Sequence, residues 1–546
     1  MTCSKIFLGD LPELTSDIIH HFKYDYKTLH SCILVNRLWC KLAIPLLWED
    51  PFSIKFPKNY HFIEIYLHNL NEADKTKLNE YGINVRLFPS NTLFNYSSFI
   101  KCLNTYTLIF SVEKWVGIIK TLNNDNLNTN FDQNLNIIKL VYKSLFKIFI
   151  DNEASLHTFE IEIITQKDCD YFEISLELIL QNPNFIHDLK ILDLYFFATI
   201  ISANSFLKFL YLNCNLISSL YFQFPIFNDD NISIEKYLSQ IINSQKNLKK
   251  ILFGDSSNLS LYNSLSSLKN SNCSNTLNTI IFFGIDFKNI TILKEVLDQL
   301  IVLESIHILY CLSLNSNFIQ QIINMTRPFK LRSLFNSEFL QIDESLELLL
   351  QKSGDYLENL GLFGNGLNQQ LLELIIKFCF KIKFLDLSGV DNININSILN
   401  LIKNLNQNLY YLSIHQSSDD LALGSIILRK LGQIIPLRLE YLSLTLMINP
   451  NDFEIFLKNS QNVFIKKLLL RNKIQEKTYD ILPYIKDYVM KENRVKYLAF
   501  EEINFENYIS LSSLKAEVKE FNLYNIKILS FDELNIDCYN FVKEMY

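Results

Sequence analysis

The sequence predicts an α/β chain in which a small helical bundle is followed by a solenoid of strand-turn-helix units. Three observations predict it. An L-x-x-L-x-L signature, with Ile, Val or Phe substituting, starts at Leu189, Ile217, Leu248, Leu277, Leu303, Leu331, Leu357, Ile382, Leu409, Leu439, Ile465, Val495 and Ile526, at intervals of 25 to 31 residues. In a half-apolar chain any three positions are apolar together roughly one time in eight, so the regular spacing, not a single match, carries the inference. Two of the three tryptophans, Trp39 and Trp48, fall within the first fifty residues, among apolar residues at helical spacing. Finally, 546 residues exceed the roughly 250 to 300 that one core supports, which leaves several domains or an elongated array.

Residues 7–52 read as the helical bundle. Leu14, Ile18, Ile19 and Phe22 recur at three- to four-residue steps, as do Leu29, Cys32, Ile33, Asn36 and Leu38 to Leu42, so each helix has one apolar face. Breaks fall at Pro12, Tyr24 to Lys27, Pro45 and Pro51. Residues 53–154 read as a helical connector. They include a polar Asn-rich loop, Asn123 to Asn134, before an apolar helical segment at Leu135 to Ile150. Residues 155–546 form the repeat array. Helix-period segments such as Leu371 to Phe380, Ile395 to Leu405 and Phe453 to Leu457 lie between the strand signatures. A single such unit cannot bury its own faces, and stacking on its neighbours does so while lining a long surface with strands.

The first zone resembles the F-box motif: a Leu-Pro-x-Glu start, paired apolar residues on two helices, a Val-x-x-x-Trp core and a trailing Leu-Trp. This chain carries Leu11, Pro12, Glu13, Leu14, Ile18, Ile19, Leu29, Val35, Trp39, Leu42, Leu47 and Trp48 in that order. Glu13 directly follows Pro12, and Asn36 stands where many F-boxes have Cys. The resemblance implies binding to a Skp-type adaptor, and through it to a cullin, by Leu11, Pro12, Glu13, Ile18, Ile19, Leu29, Val35, Trp39 and Leu42, with these apolar faces divided between self-packing and the partner. The alternative is that they form only a core. From about Leu156 to Phe541 the array resembles the leucine-rich repeats that accompany F-boxes. The fuller pattern, with Asn at the ninth position, is met once, by Leu357, Leu360, Leu362, Asn365 and Leu367. The two resemblances together imply a substrate-recognition subunit of a Skp-cullin-F-box ubiquitin ligase, with a protein substrate held by the repeats. The other reading is a leucine-rich-repeat scaffold without a ligase role.

Enzymatic constellations do not emerge. The chain lacks G-x-x-x-x-G-K-[ST], H-E-x-x-H and G-x-S-x-G. Gly361, Gly364 and Gly366 coincide with the strand-to-helix turn of a repeat and no Lys follows them, so they read as a turn and not as a phosphate loop. His20 and His21 are adjacent, which points them to different helix faces, and no metal-ligand spacing or CxxC pair occurs. We therefore expect no enzyme, no cofactor and no metal. A net charge of −7 supplies no field for phosphates, so no nucleic-acid partner is expected. Apolar runs such as Leu140 to Ile150 are broken by lysines and there is no export signal, which predicts no membrane partner and a cytoplasmic or nuclear location with reduced thiols.

Strand side chains alternate, so the third position of each signature faces away from the leucines. Phe384, Tyr411, Tyr441 and Tyr497 occupy that register in neighbouring repeats, with Lys467 intervening. They form either a ridge that grips a protein substrate or ordinary aromatic packing in a chain that is 13% aromatic.

Overall fold

The structure, a computed structural model, describes residues 12–54, 57, 59–83, 91–122, 131–197, 202–224, 231–254, 261–336, 344–364, 367–473, 481–503 and 508–546. Leu11 lies outside them, as do the side chain of Pro12, Asn365 and most of the Asn-rich stretch. The chain divides into two compact units, Met1–Leu277 and Asn278–Tyr546.

The first unit opens with helices α1 (Pro12–His21), α2 (Tyr26–Ile33) and α3 (Arg37–Leu47). Local chemistry sets their starts. The Asp25 side chain accepts a hydrogen bond from the Thr28 amide at the head of α2, and Asn36 accepts one from Trp39 at the head of α3. Asn36 thus has a structural role, because it caps the helix that carries Trp39. Trp48 packs on Tyr66 and Tyr96, with ring centroids 5.4 and 4.3 Å away, and Phe52 meets Phe149 at 6.3 Å. The three helices are therefore tied into the connector.

Strands then alternate with helices. β1 (Cys102–Asn104), β2 (Thr158–Ile163), β3 (Ile191–Phe196), β4 (Ser219–Gln223) and β5 (Lys250–Gly254) pair in parallel and in sequence order. β1 lies in the zone expected to be a helical connector. It is only three residues long, too short for a period-two pattern to register. Each inward position is apolar and fully buried, such as Phe159, Leu192, Leu220 and Ile251. Adjacent units are also stitched by polar groups. The buried Gln245 side chain donates to the Cys214 carbonyl and accepts from the Ile217 amide, at 2.9 Å each, which satisfies backbone groups that stacking removes from water.

In the second unit β6 (Thr279–Phe283), β7 (Ser305–Leu309), β8 (Leu331–Asn336), β9 (Asn359–Phe363), β10 (Phe384–Val390), β11 (Tyr411–Gln416), β12 (Tyr441–Leu446), β13 (Ile465–Lys473) and β14 (Val495–Ile503) repeat the pattern, each parallel to the next. All thirteen signature starts have a strand at them or one or two residues past them; the last is β16 (Lys527–Ile528), which pairs parallel to β14. β15 (Tyr508–Ser510) turns back antiparallel on β14. The segment Ser530–Tyr546, with helices Phe531–Leu534 and Cys538–Met545, then crosses the strand face opposite the inward leucines.

Candidate functional site

Two surfaces carry the predicted residues. On the first, the structure sorts the F-box-like set by burial. Ile19, Leu29 and Trp39 join Cys32 and Ala43 in the core of α1–α3, with Leu42 packed against them. Glu13, Ile18 and Val35 face solvent. So do Leu14, Tyr24 and Leu34, the last at 78% exposure. Leu14 and Ile18 lie one turn apart on α1, and Tyr24, Leu34 and Val35 lie in the turns on either side of α2; a contiguous patch of such side chains marks a docking surface. Burial thus divides the described members of the predicted set into a core group and an exposed group. Lys23 steadies the base of this unit through a 2.6 Å ion pair to Glu49.

On the second surface, cross-strand pairing places the four predicted aromatics in one row: Phe384 pairs with Tyr411, Tyr411 with Tyr441, Tyr441 with Lys467, and Lys467 with Tyr497. Ring centroids of Phe384 and Tyr411 lie 5.8 Å apart, and those of Tyr411 and Tyr441 6.2 Å. The row is not bare. Phe541 sits on Phe384 at 5.0 Å and on Tyr411 at 5.5 Å, and Asn535 and Ile536 hydrogen-bond the Tyr441 hydroxyl. Phe384 and Tyr441 are consequently buried, while Tyr411 and Tyr497 stay partly open. The physical reason is that outward aromatics on adjacent strands offer apolar area that the chain itself covers.

Beside the aromatics runs a second row made of Phe335, Gly361, Asp386, Ser413, Ser443, Leu469 and Ala499, each paired to the next. Burial raises the Asp386 carboxyl to about 6, against a lowering hydrogen bond from Ser413. Tyr546 closes the far end. Its ring lies 4.5 Å from that of His307; its oxygen accepts from Asn359 Nδ2 at 3.2 Å and its O–H donates to Glu358 Oε2 at 2.9 Å. Burial works to raise the Glu358 carboxyl, but hydrogen bonds from Lys383 and Tyr546 and the charge of Arg332 hold it below its ordinary value.

The chain matches no family model and no curated protein. Among the described residues no group of three or more His, Cys, Asp or Glu is placed to hold a metal ion, and no helix is long and apolar enough to cross a membrane. Seven of the nine described cysteines are buried, and burial pushes thiols such as Cys214 and Cys379 up to about 12. Such thiols are poor nucleophiles at neutral pH.

Sequence reasoning missed the covering segment. Phe531, Leu534, Cys538 and Val542 recur at helical spacing, which signals an apolar helix face but not the surface it covers.

Proposed function

We propose that this chain is a non-catalytic substrate receptor of a Skp-cullin-F-box ubiquitin ligase, in which α1–α3 dock on a Skp-type adaptor and the leucine-rich-type repeats hold a protein to be ubiquitinated. The observation that supports this reading is the division by burial of the apolar residues of α1–α3 and the turns between them. Ile19, Leu29 and Trp39 build a core while Leu14, Ile18, Leu34 and Val35 remain outside it. A three-helix unit that needed only to fold would gain by covering those side chains, since a buried aliphatic side chain contributes about 1.5 to 3 kcal/mol. The repeats suit the second role because they offer binding area by stacking.

Trp48 and Phe52 pack on residues beyond the bundle, so the test uses the full chain. Calorimetric titration with a purified Skp-type adaptor is expected to give micromolar or tighter binding, lost in Ile18→Glu and Val35→Glu. Absence of binding by the folded wild-type chain leaves a repeat scaffold and withdraws the ligase role.

A further inference from the structure

The two faces of the strands in the second unit differ in chemistry. Toward the helices stand Leu360, Leu385, Leu387, Leu412, Ile414, Leu442 and Leu444, all buried. On the opposite face, next to the aromatic row, stand Gly361, Asp386, Ser413 and Ser443 in mutual register. Large residues beside small ones make a trough. At its Gly361 end the trough is floored by Phe335, whose ring would lie only 2.2 Å from a Cβ at that position.

The helix Cys538–Met545 fills this trough. Cys538 and Val542, one turn apart, are buried and point down, and Phe541 flanks them on the aromatic row. The backbone hydrogen bonds of the segment are local: Asn535 to Phe531, Phe541 to Asp537 and Tyr546 to Val542. Its side chains make the attachment. Tyr310 Oη meets Cys538 Sγ at 2.8 Å, Tyr441 binds Asn535 and Ile536, and Tyr546 binds Asn359 and Glu358. This is how a ligand helix sits in a groove, by anchors at helical spacing, and not how a repeat joins its neighbour through a strand ladder.

We propose that the outward face of β7–β13 is a docking surface for a short apolar helix of a partner protein, and that Ser530–Tyr546 is its resident and displaceable occupant. The occupant states the chemistry of that partner. It carries small or branched apolar side chains at i and i+4, as Cys538 and Val542 do, an aromatic at i+3, as Phe541 does, and a hydrogen-bond donor at i+8 for Glu358. Seating the segment there desolvates the Asp386 carboxylate, which weakens closure at neutral pH. This inference rests on the reading of the repeats as a binding array and is independent of the ligase assignment.

Two measurements on the full chain test it. In native-state hydrogen exchange of the wild type, amides of Asn540 to Tyr546 are expected to exchange at least ~100-fold faster than those of β10–β12, because a docked segment opens before its platform does. Exchange of both at one common rate overturns the proposal, since the segment would then be part of the fold's cooperative core. A fluorescent peptide of residues 530–546 supplies the second test. The tethered segment competes at an effective concentration of about millimolar, so Val542→Asp in the full chain is expected to raise peptide affinity at least ~10-fold over wild type. A peptide that itself carries Val542→Asp is expected not to bind. Equal affinity for both chains, or no binding to the folded variant, overturns the proposal. Should that variant fail to fold, Phe541→Ala replaces it and exchange in the wild type still decides. Adaptor binding is a separate titration, so either reading can fail alone.

Discussion

Phe541 rests on Phe384 with ring centroids 5.0 Å apart and planes inclined by 37°. The pair joins the segment 530–546 to the middle of the aromatic row, and Tyr411 adds a T-shaped contact at 5.5 Å. Aromatic pairs contribute about 0.5 to 1.5 kcal/mol each beyond their buried area. Phe541→Ala is therefore expected to destabilise the second unit by about 2 kcal/mol in urea denaturation, whereas Phe380→Ala, at an exposed ring, is expected to change stability by less than about 0.5 kcal/mol.

Asp386 makes the second unit sensitive to pH. Burial raises its carboxyl from 3.8 to about 6, and it faces Ser413, Tyr310, Tyr441 and Cys538. A carboxyl whose folded value lies above its unfolded value binds its proton more tightly in the folded state. Its burial cost is thus absent below about pH 4, appears between about 4 and 6, and is fully present above that. Asp386→Asn is expected to stabilise the chain at pH 7 by up to about 3 kcal/mol and to match the wild type near pH 4. Denaturation midpoints at the two pH values check this. Asp50, also raised to about 6 by burial, titrates in the same window, so the difference between variant and wild type isolates Asp386.

The repeat was legible because its cause is local. A parallel strand buried on one face must place Leu, Ile or Val at alternate positions, so Leu189, Leu248 and Leu409 each announce a strand two residues on. The three residues of β1 carry too little pattern to be seen. Ser530–Tyr546 was illegible for another reason. Its periodicity predicts an apolar helix face, but the partner of that face lies as far away as Glu358, 188 residues upstream, and no local rule supplies such a contact. In the first zone helical spacing identified Ile18, Ile19, Leu29 and Trp39, and the F-box resemblance added Val35. Only the packing angle of the three helices decides which of them turn inward.

That sorting separates two kinds of variant in the first unit. Trp39 sits in the bundle core with Ile19 and Leu29, so Trp39→Ala is expected to cost about 3 kcal/mol of stability. Val35 is 47% exposed, and Val35→Glu is expected to leave the melting temperature of the free chain unchanged within about 2 °C. Paired thermal melts and adaptor titrations check this: on the docking reading Val35→Glu loses binding without losing stability, and Trp39→Ala loses both.

Two helical glycines are expected to respond to alanine with opposite signs. Gly117 lies in the helix Thr105–Leu122, and a Cβ there would meet nothing within 4 Å. Gly117→Ala reduces only the freedom of the unfolded chain and should stabilise by up to about 1 kcal/mol. Gly424 lies in the helix Leu421–Ile434, where a Cβ would stand 2.0 Å from the Met447 carbonyl oxygen. That carbonyl cannot easily retreat. The Met447 amide donates to Gln416 Oε1 at 3.0 Å, and Gln416 Nε2 donates to the Asp420 carbonyl at 2.6 Å. Asp420 in turn caps the helix that holds Gly424, so helix and carbonyl are held by one buried side chain. The gain in helix propensity, about 1 kcal/mol, is outweighed by an overpacking cost of about 1 to 3 kcal/mol. Gly424→Ala is expected to lower the stability of the second unit by about 1 to 2 kcal/mol in the same urea titration that shows Gly117→Ala raising that of the first.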